Sequence, residues 1–170
     1  ALERKSPWLS RFKALHGSRE FDSYRFDAVR FAHKVAAIDL AFAGLREGVL
    51  IWMDADCVTH ASVDEDWLSG LLGDGDFAYL NRKGKYPECG FMMFRVESVV
   101  VRAMLWELVQ LYTSGRLFGL DEWHDSFAIE HCRCRTHGLK CVSLSGAAAN
   151  TGHPLVNGPL VAKLDHLKGK

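Results

Sequence analysis

Apolar positions along the chain repeat with two different periods, and the switches between them predict its elements. After Asp27, the run Ala-Val-Arg-Phe-Ala-His-Lys-Val-Ala-Ala-Ile-Asp-Leu-Ala-Phe-Ala carries apolar residues at helical spacing up to Gly44. This predicts a helix with Asp27 as N-cap and Gly44 at its end. The unbroken apolar run at 49–53, Val-Leu-Ile-Trp-Met, predicts a buried strand. A short helix with acids in its first turn is expected after Asp64, and a brief strand over 77–80. Residues 81–90 combine turn formers with positive charge and read as a mobile loop before a second buried strand at 91–94. Ser98 is placed to cap a helix over 99–112 that closes near Gly115, a further helix is expected over 125–135, and a last strand over 139–144. Residues 1–23 read as a loop with short helical pieces, and 145–170 as irregular. Strands alternating with helices, without internal repeats or a linker, predict one α/β domain with a mostly parallel sheet.

Composition narrows the partners. The 170 residues fit a single domain able to bury a core, and 21 basic residues against 21 acidic ones leave no net field for a generic nucleic-acid binder. No apolar run is long enough to span a bilayer, so no membrane span is expected. Five cysteines, an odd number, without a secretory h-region argue against a disulfide framework and for a reducing cytoplasm. The chain does not open on Met, which makes a fragment or trimmed product the expectation.

The chemistry concentrates where the 49–53 strand runs into Asp54-Ala-Asp56. In open α/β sheets ligands gather beyond the carboxyl ends of strands, and two acids placed there repel one another unless they share a cation. Oxygen ligands suit Mg²⁺ or Mn²⁺, with a phosphate ligand completing the site. The alternative is that Asp56 begins a turn while Asp54 caps a backbone amide. The cluster His131-Cys132-x-Cys134-x-x-His137-x-x-x-Cys141 suggests zinc, but C-x-C on a helix sends its thiols apart, so packing is the expectation.

Taken in order, the helix before the strand, the D-x-D strand, Glu88-Cys-Gly90-Phe-Met-Met-Phe-Arg95, Trp123-His124-Asp125-Ser126 and the closing Asp165-His166-Leu-Lys168-Gly-Lys170 resemble the GT-A nucleotide-sugar glycosyltransferases. The resemblance spans roughly residues 24–170. It implies a GT-A, Rossmann-like α/β domain that is short of one N-terminal βα unit. It also implies an enzyme of hexosyltransferase type that moves a sugar from a nucleotide sugar donor to a carbohydrate or other hydroxyl acceptor, using Mn²⁺ or Mg²⁺. Asp54, Asp56 and His166 would hold the metal, with His153 a competitor for the histidine role. Lys34, Arg30 and Lys168 would bind the donor, and Gly90 would let the donor sugar approach the backbone. Asp125 would be the catalytic base, with Asp121 and Glu122 as rivals and helix capping as its alternative, and Trp123 would stack on a sugar. A haloacid-dehalogenase-type phosphatase, with Asp54 as nucleophile and Asp56 as acid/base, and an inactive carbohydrate-binding relative are the competing readings.

Overall fold

The helices and strands of the computed structural model, which describes residues 2–146 and 153–167, follow the hydrophobic pattern where that pattern is long. In chain order they are α1 (Leu2–Lys5), α2 (Pro7–His16), α3 (Ala28–Ala43), β1 (Val49–Met53), β2 (Cys57–Thr59), α4 (Glu65–Leu72), β3 (Phe77–Arg82), β4 (Lys85–Arg95), α5 (Val99–Thr113), α6 (Asp125–Arg135), β5 (Cys141–Ser143) and β6 (Leu164–His166). The predicted caps form, Asp27 accepting from the Arg30 amide and Ser98 from Val101, and Asp64 caps α4 by accepting from the Trp67 amide.

The main sheet runs β1-β4-β3-β5. It is mixed rather than mostly parallel: β4 is antiparallel to both β1 and β3, whereas β3 and β5 are parallel. The cause is the two-residue turn Lys83-Gly84, where Gly84 has φ +71. So short a connection can only reverse the chain. The expected 81–90 loop is therefore a hairpin. Pro87 gives the ladder no N–H, and β3 and β4 shift register beside it.

Both faces of β3 and β4 are covered, which explains their unbroken apolar runs, whereas β1, expected to be buried, lies at the sheet edge with no fully buried residue. Phe77, Met92 and Phe94 face a core built from Val35, Ile38, Leu108, Tyr112 and Ile129 of the helices. The alternate residues Ala78, Leu80, Phe91 and Met93 meet Leu72, Leu144, Leu155 and Leu160 on the other side.

Three expectations fail for lack of pattern length. The predicted N-terminal loop is largely the helix α2, which starts at Pro7 and buries only Leu9 and Phe12 among charges. Strands β2 and β6, three residues each, pair antiparallel as a separate small sheet. The strand expected over 139–144 shortens to β5 and is followed by β6, so it is not the last. No helix among the described residues is long and apolar enough to cross a membrane.

The five cysteines are free. Burial pushes the Cys57 thiol up to about 11 and the Cys132 thiol up to about 12, and holds Cys89 well above the usual thiol range. Near neutral pH, a chromogenic disulfide reagent is expected to titrate the exposed Cys134 and Cys141 rapidly and the other three thiols only in denaturant. Fast reaction of all five in the native protein would contradict this packing. Cys132 is buried and Cys134 exposed, so the two thiols of the C-x-C pair point apart as expected, and only Cys132 packs in the core.

Candidate functional site

The D-x-D turn is anchored at both ends. The Asp54 amide donates to the Gly90 carbonyl at 2.8 Å, extending the β1–β4 ladder, and the Cys57 amide returns to the Asp54 carbonyl at 3.0 Å. The two carboxylates then diverge. Asp54 Oδ1 accepts from Trp52 Nε1 at 2.6 Å and from Lys34 Nζ at 2.9 Å, whereas Asp56 Oδ1 lies 3.3 Å from His166 Nε2.

The small sheet is what brings His166 to Asp56. Cys57 opposes His166 in register, and the Leu167 amide donates to the Asp56 carbonyl at 3.0 Å. His166 is 2% exposed and stacks on His153 at 4.0 Å. His153 Nε2 is 3.8 Å from Glu88 Oε2, which Arg82 also holds. Asp56, Cys57 and His166 each offer one donor atom within 4.8 Å of the others. Burial first, then the neighbouring Asp56, keeps the Cys57 thiol protonated, which leaves a carboxylate oxygen and an imidazole nitrogen as the useful donors. Their 3.3 Å separation is near the ~3 Å expected between adjacent ligands of an octahedral ion bound at about 2.1 Å. A hard oxygen beside an imidazole suits Mn²⁺ better than Mg²⁺. Gly90 borders this space: a Cβ there would stand 3.5 Å from Glu88 Oε1, 3.8 Å from Asp54 Oδ2 and 3.9 Å from His166 Cδ2. Lys168 lies outside the described residues.

On the other side of Asp54, Lys34 from α3 spends its three N–H groups on three acceptors. These are Asp54 Oδ1 at 2.9 Å, Asp125 Oδ2 at 2.6 Å and the Cys89 carbonyl at 3.1 Å. Burial works against the lysine charge, but Asp125 and Asp54 outweigh it and hold the ammonium above the ordinary lysine range. Lys34 is thus a brace between two carboxylates, and a phosphate would have to displace one of them.

Asp125 is the first residue of α6 and is 6% exposed. The capping alternative falls instead to its neighbour: His124 accepts from the Phe127 amide at 3.3 Å. The Asp125 carboxylate takes only the adjacent Ser126 amide, at 2.9 Å, before it faces Lys34. With Nδ1 of His124 accepting, Nε2 carries the proton and donates to Glu122 Oε2 at 2.7 Å, and Arg25 holds Glu122 from the other side at 3.1 Å. His124 went unrecognised in the sequence, because histidine is not among the usual caps. Substituting His124 by Ala is expected to cost about 1–2 kcal/mol in chemical denaturation and by Asn distinctly less. Equal losses for both would remove the cap from the account. Asp121 is exposed, and Trp123 packs edge-on against Phe26 and Phe118 at 5.2 and 5.0 Å, in the position of a core ring.

Lys34, Asp54 and Asp125 sit at the base of an open cleft of about 1610 Å³, lined also by Arg30, the β3–β4 hairpin and the outer face of α6. Asp56, Gly90 and His166 do not line it, whereas Asp54 and Glu88, which line it and also border the space beside Gly90, form the wall between the two. The chain matches no protein-family model, no curated protein and no solved structure with which it was compared.

Proposed function

We propose that the chain is a metal-dependent glycosyltransferase of GT-A type that moves a sugar from a nucleoside diphosphate to an acceptor hydroxyl. The observation that carries this reading is the division of labour at the end of β1. Asp56 meets an imidazole on one side, and Asp54 and Asp125 share a lysine on the other, at the floor of a cleft. The resemblance gives Asp54, Asp56 and His166 to the metal, Lys34 to the donor and Asp125 to proton transfer; β6 brings the histidine to the second acid, whereas Lys34 is engaged with Asp54 and Asp125. A reducing, cytoplasmic setting suits five free thiols and belongs to the same proposal.

Asp56 and His166, with Asp54 beside them, would hold Mn²⁺ or Mg²⁺. Such an ion, when bound, neutralises charge on the departing diphosphate. Gly90 leaves a wall without a side chain beside that space, on which a donor sugar can rest. The acceptor hydroxyl enters from the cleft and its oxygen bonds to the anomeric carbon. The bond from that carbon to the phosphate oxygen breaks and its electron pair leaves with the diphosphate. The hydroxyl proton passes to Asp125, a transfer that comes late, when the attacking oxygen has become acidic. Lys34, 2.6 Å from Asp125 Oδ2, fixes the direction of that carboxylate.

The test is release of nucleoside diphosphate from a panel of nucleotide sugars with and without Mn²⁺. At least one sugar is expected to turn over with Mn²⁺, and activity should vanish with chelator and in Asp56→Asn. Phosphate release from small phosphomonoesters would contradict the proposal in favour of a phosphatase. Donor binding without turnover, across a broad set of acceptors, would contradict it in favour of a binding protein.

A further inference from the structure

Charge in the cleft is unevenly neutralised. Its five acids, Asp54, Glu88, Glu122, Asp125 and Glu130, all stand in ion pairs with Lys34, Arg82, Arg25 or Arg133. Four of its cations, Arg30, Lys83, Lys85 and Arg135, have no carboxylate partner among the described residues. They come from separate elements: Arg30 from α3, Lys83 and Lys85 from the hairpin between β3 and β4, and Arg135 from the last turn of α6. Arg135 leans on the imidazole of His131 at 3.1 Å, and Arg30 lies 5.8 Å over the ring of Phe31. The hairpin that carries the two lysines is held by its β-ladder, and all four exposed cations line the same cleft.

The donor diphosphate does not account for them, Arg30 included: the resemblance gives Arg30 to the donor, but it lines the cleft. The place of the diphosphate in the proposed function is beside Asp56 and His166, which do not line the cleft. The cleft also presents the rings of Tyr24, Phe31, Tyr86 and Phe127 around the buried His124, with Tyr86 at 4.6 Å from it. Aromatic faces together with uncompensated cations suit a sugar that carries negative charge.

We infer that the acceptor bound in this cleft is an anionic sugar, bearing a phosphate or a carboxylate. The assignment of an acceptor rests on the transferase reading, whereas the preference of the cleft for charged sugars can be measured without it. Affinities of the whole chain for glucose 6-phosphate, trigalacturonate and the neutral maltotriose would be compared by calorimetry at low and high salt. At low salt at least one anionic sugar is expected to bind roughly tenfold or more tighter than maltotriose, and the advantage should shrink as salt is added. Which of the two binds tighter identifies phosphate or carboxylate as the preferred group.

The double variant Lys83→Gln/Lys85→Gln and, separately, Arg135→Gln should each lose about threefold to tenfold in anionic affinity while melting at the wild-type temperature. Equal affinity for maltotriose, or anionic binding that survives both variants, would overturn the inference. Mn²⁺-dependent turnover of nucleotide sugars by the wild-type chain is read alongside. Turnover without charge preference overturns this inference alone. Charge preference without turnover leaves the anionic cleft standing and overturns the transferase reading.

Discussion

Asp125→Asn is expected to slow sugar transfer by about 10²–10⁴-fold, the usual contribution of a positioned base, with little change in the KM for the donor. Asparagine keeps the shape of the side chain and still offers an oxygen to Lys34, which retains Asp54 and the Cys89 carbonyl as partners. What it loses is the ability to take the acceptor proton. In the proposed function the donor binds on the Asp56–His166 side of the wall, so its affinity should survive and the loss should appear in kcat. A variant whose kcat equals that of the wild type would show that Asp125 is only an anchor for Lys34. A raised donor KM with unchanged kcat would move Asp125 to the donor side.

The second large effect is on stability. Lys34→Met leaves Asp54 and Asp125 facing one another without the ammonium that separates them, and Asp125 is almost fully buried. Removing one partner of such a buried ion pair typically costs about 3–5 kcal/mol, because the remaining charge cannot recover its hydration. Chemical denaturation measures this loss. Adding Asp125→Asn to Lys34→Met should recover part of it, since one of the stranded charges then disappears.

The pH dependence has a definite sign. The folded protein holds the Lys34 ammonium above its ordinary range, so the stabilisation is fully present below the ordinary lysine range. It is lost only as pH rises through the higher folded value. The gap between wild type and Lys34→Met should therefore stay flat from neutral to moderately alkaline pH. A gap that closes near neutrality would contradict the ion-paired arrangement.

Long apolar runs were legible in the sequence because burial enforces them. Helix α3 begins and ends at its predicted caps, and α6 runs over the span expected of it. Helix α2 was not legible, since two buried residues among charges leave no period to detect. The β3–β4 hairpin was hidden for a different reason. Pro87 and the charges around Gly84 resemble a loop, and only pairing across the sheet makes them a strand. That same pairing reverses β4 and turns the expected parallel sheet into a mixed one.

Of the candidate site, Lys34, Asp54 and Asp125 converge although they lie far apart along the chain, as do Asp56 and His166. The parting of the two acids to opposite sides could not be read from D-x-D spacing. It depends on Trp52 and Lys34 drawing Asp54 one way while β2 and β6 carry Asp56 the other.

The most direct test is a crystal of the chain grown with Mn²⁺ and a nucleoside diphosphate, examined for anomalous scattering. A peak is expected at about 2.0–2.3 Å from both the Asp56 carboxylate and His166 Nε2, with the diphosphate on its far side and the Lys34 brace intact. A well-occupied diphosphate elsewhere, with no ion between Asp56 and His166, would contradict the claim that this acid–histidine pair is a metal site.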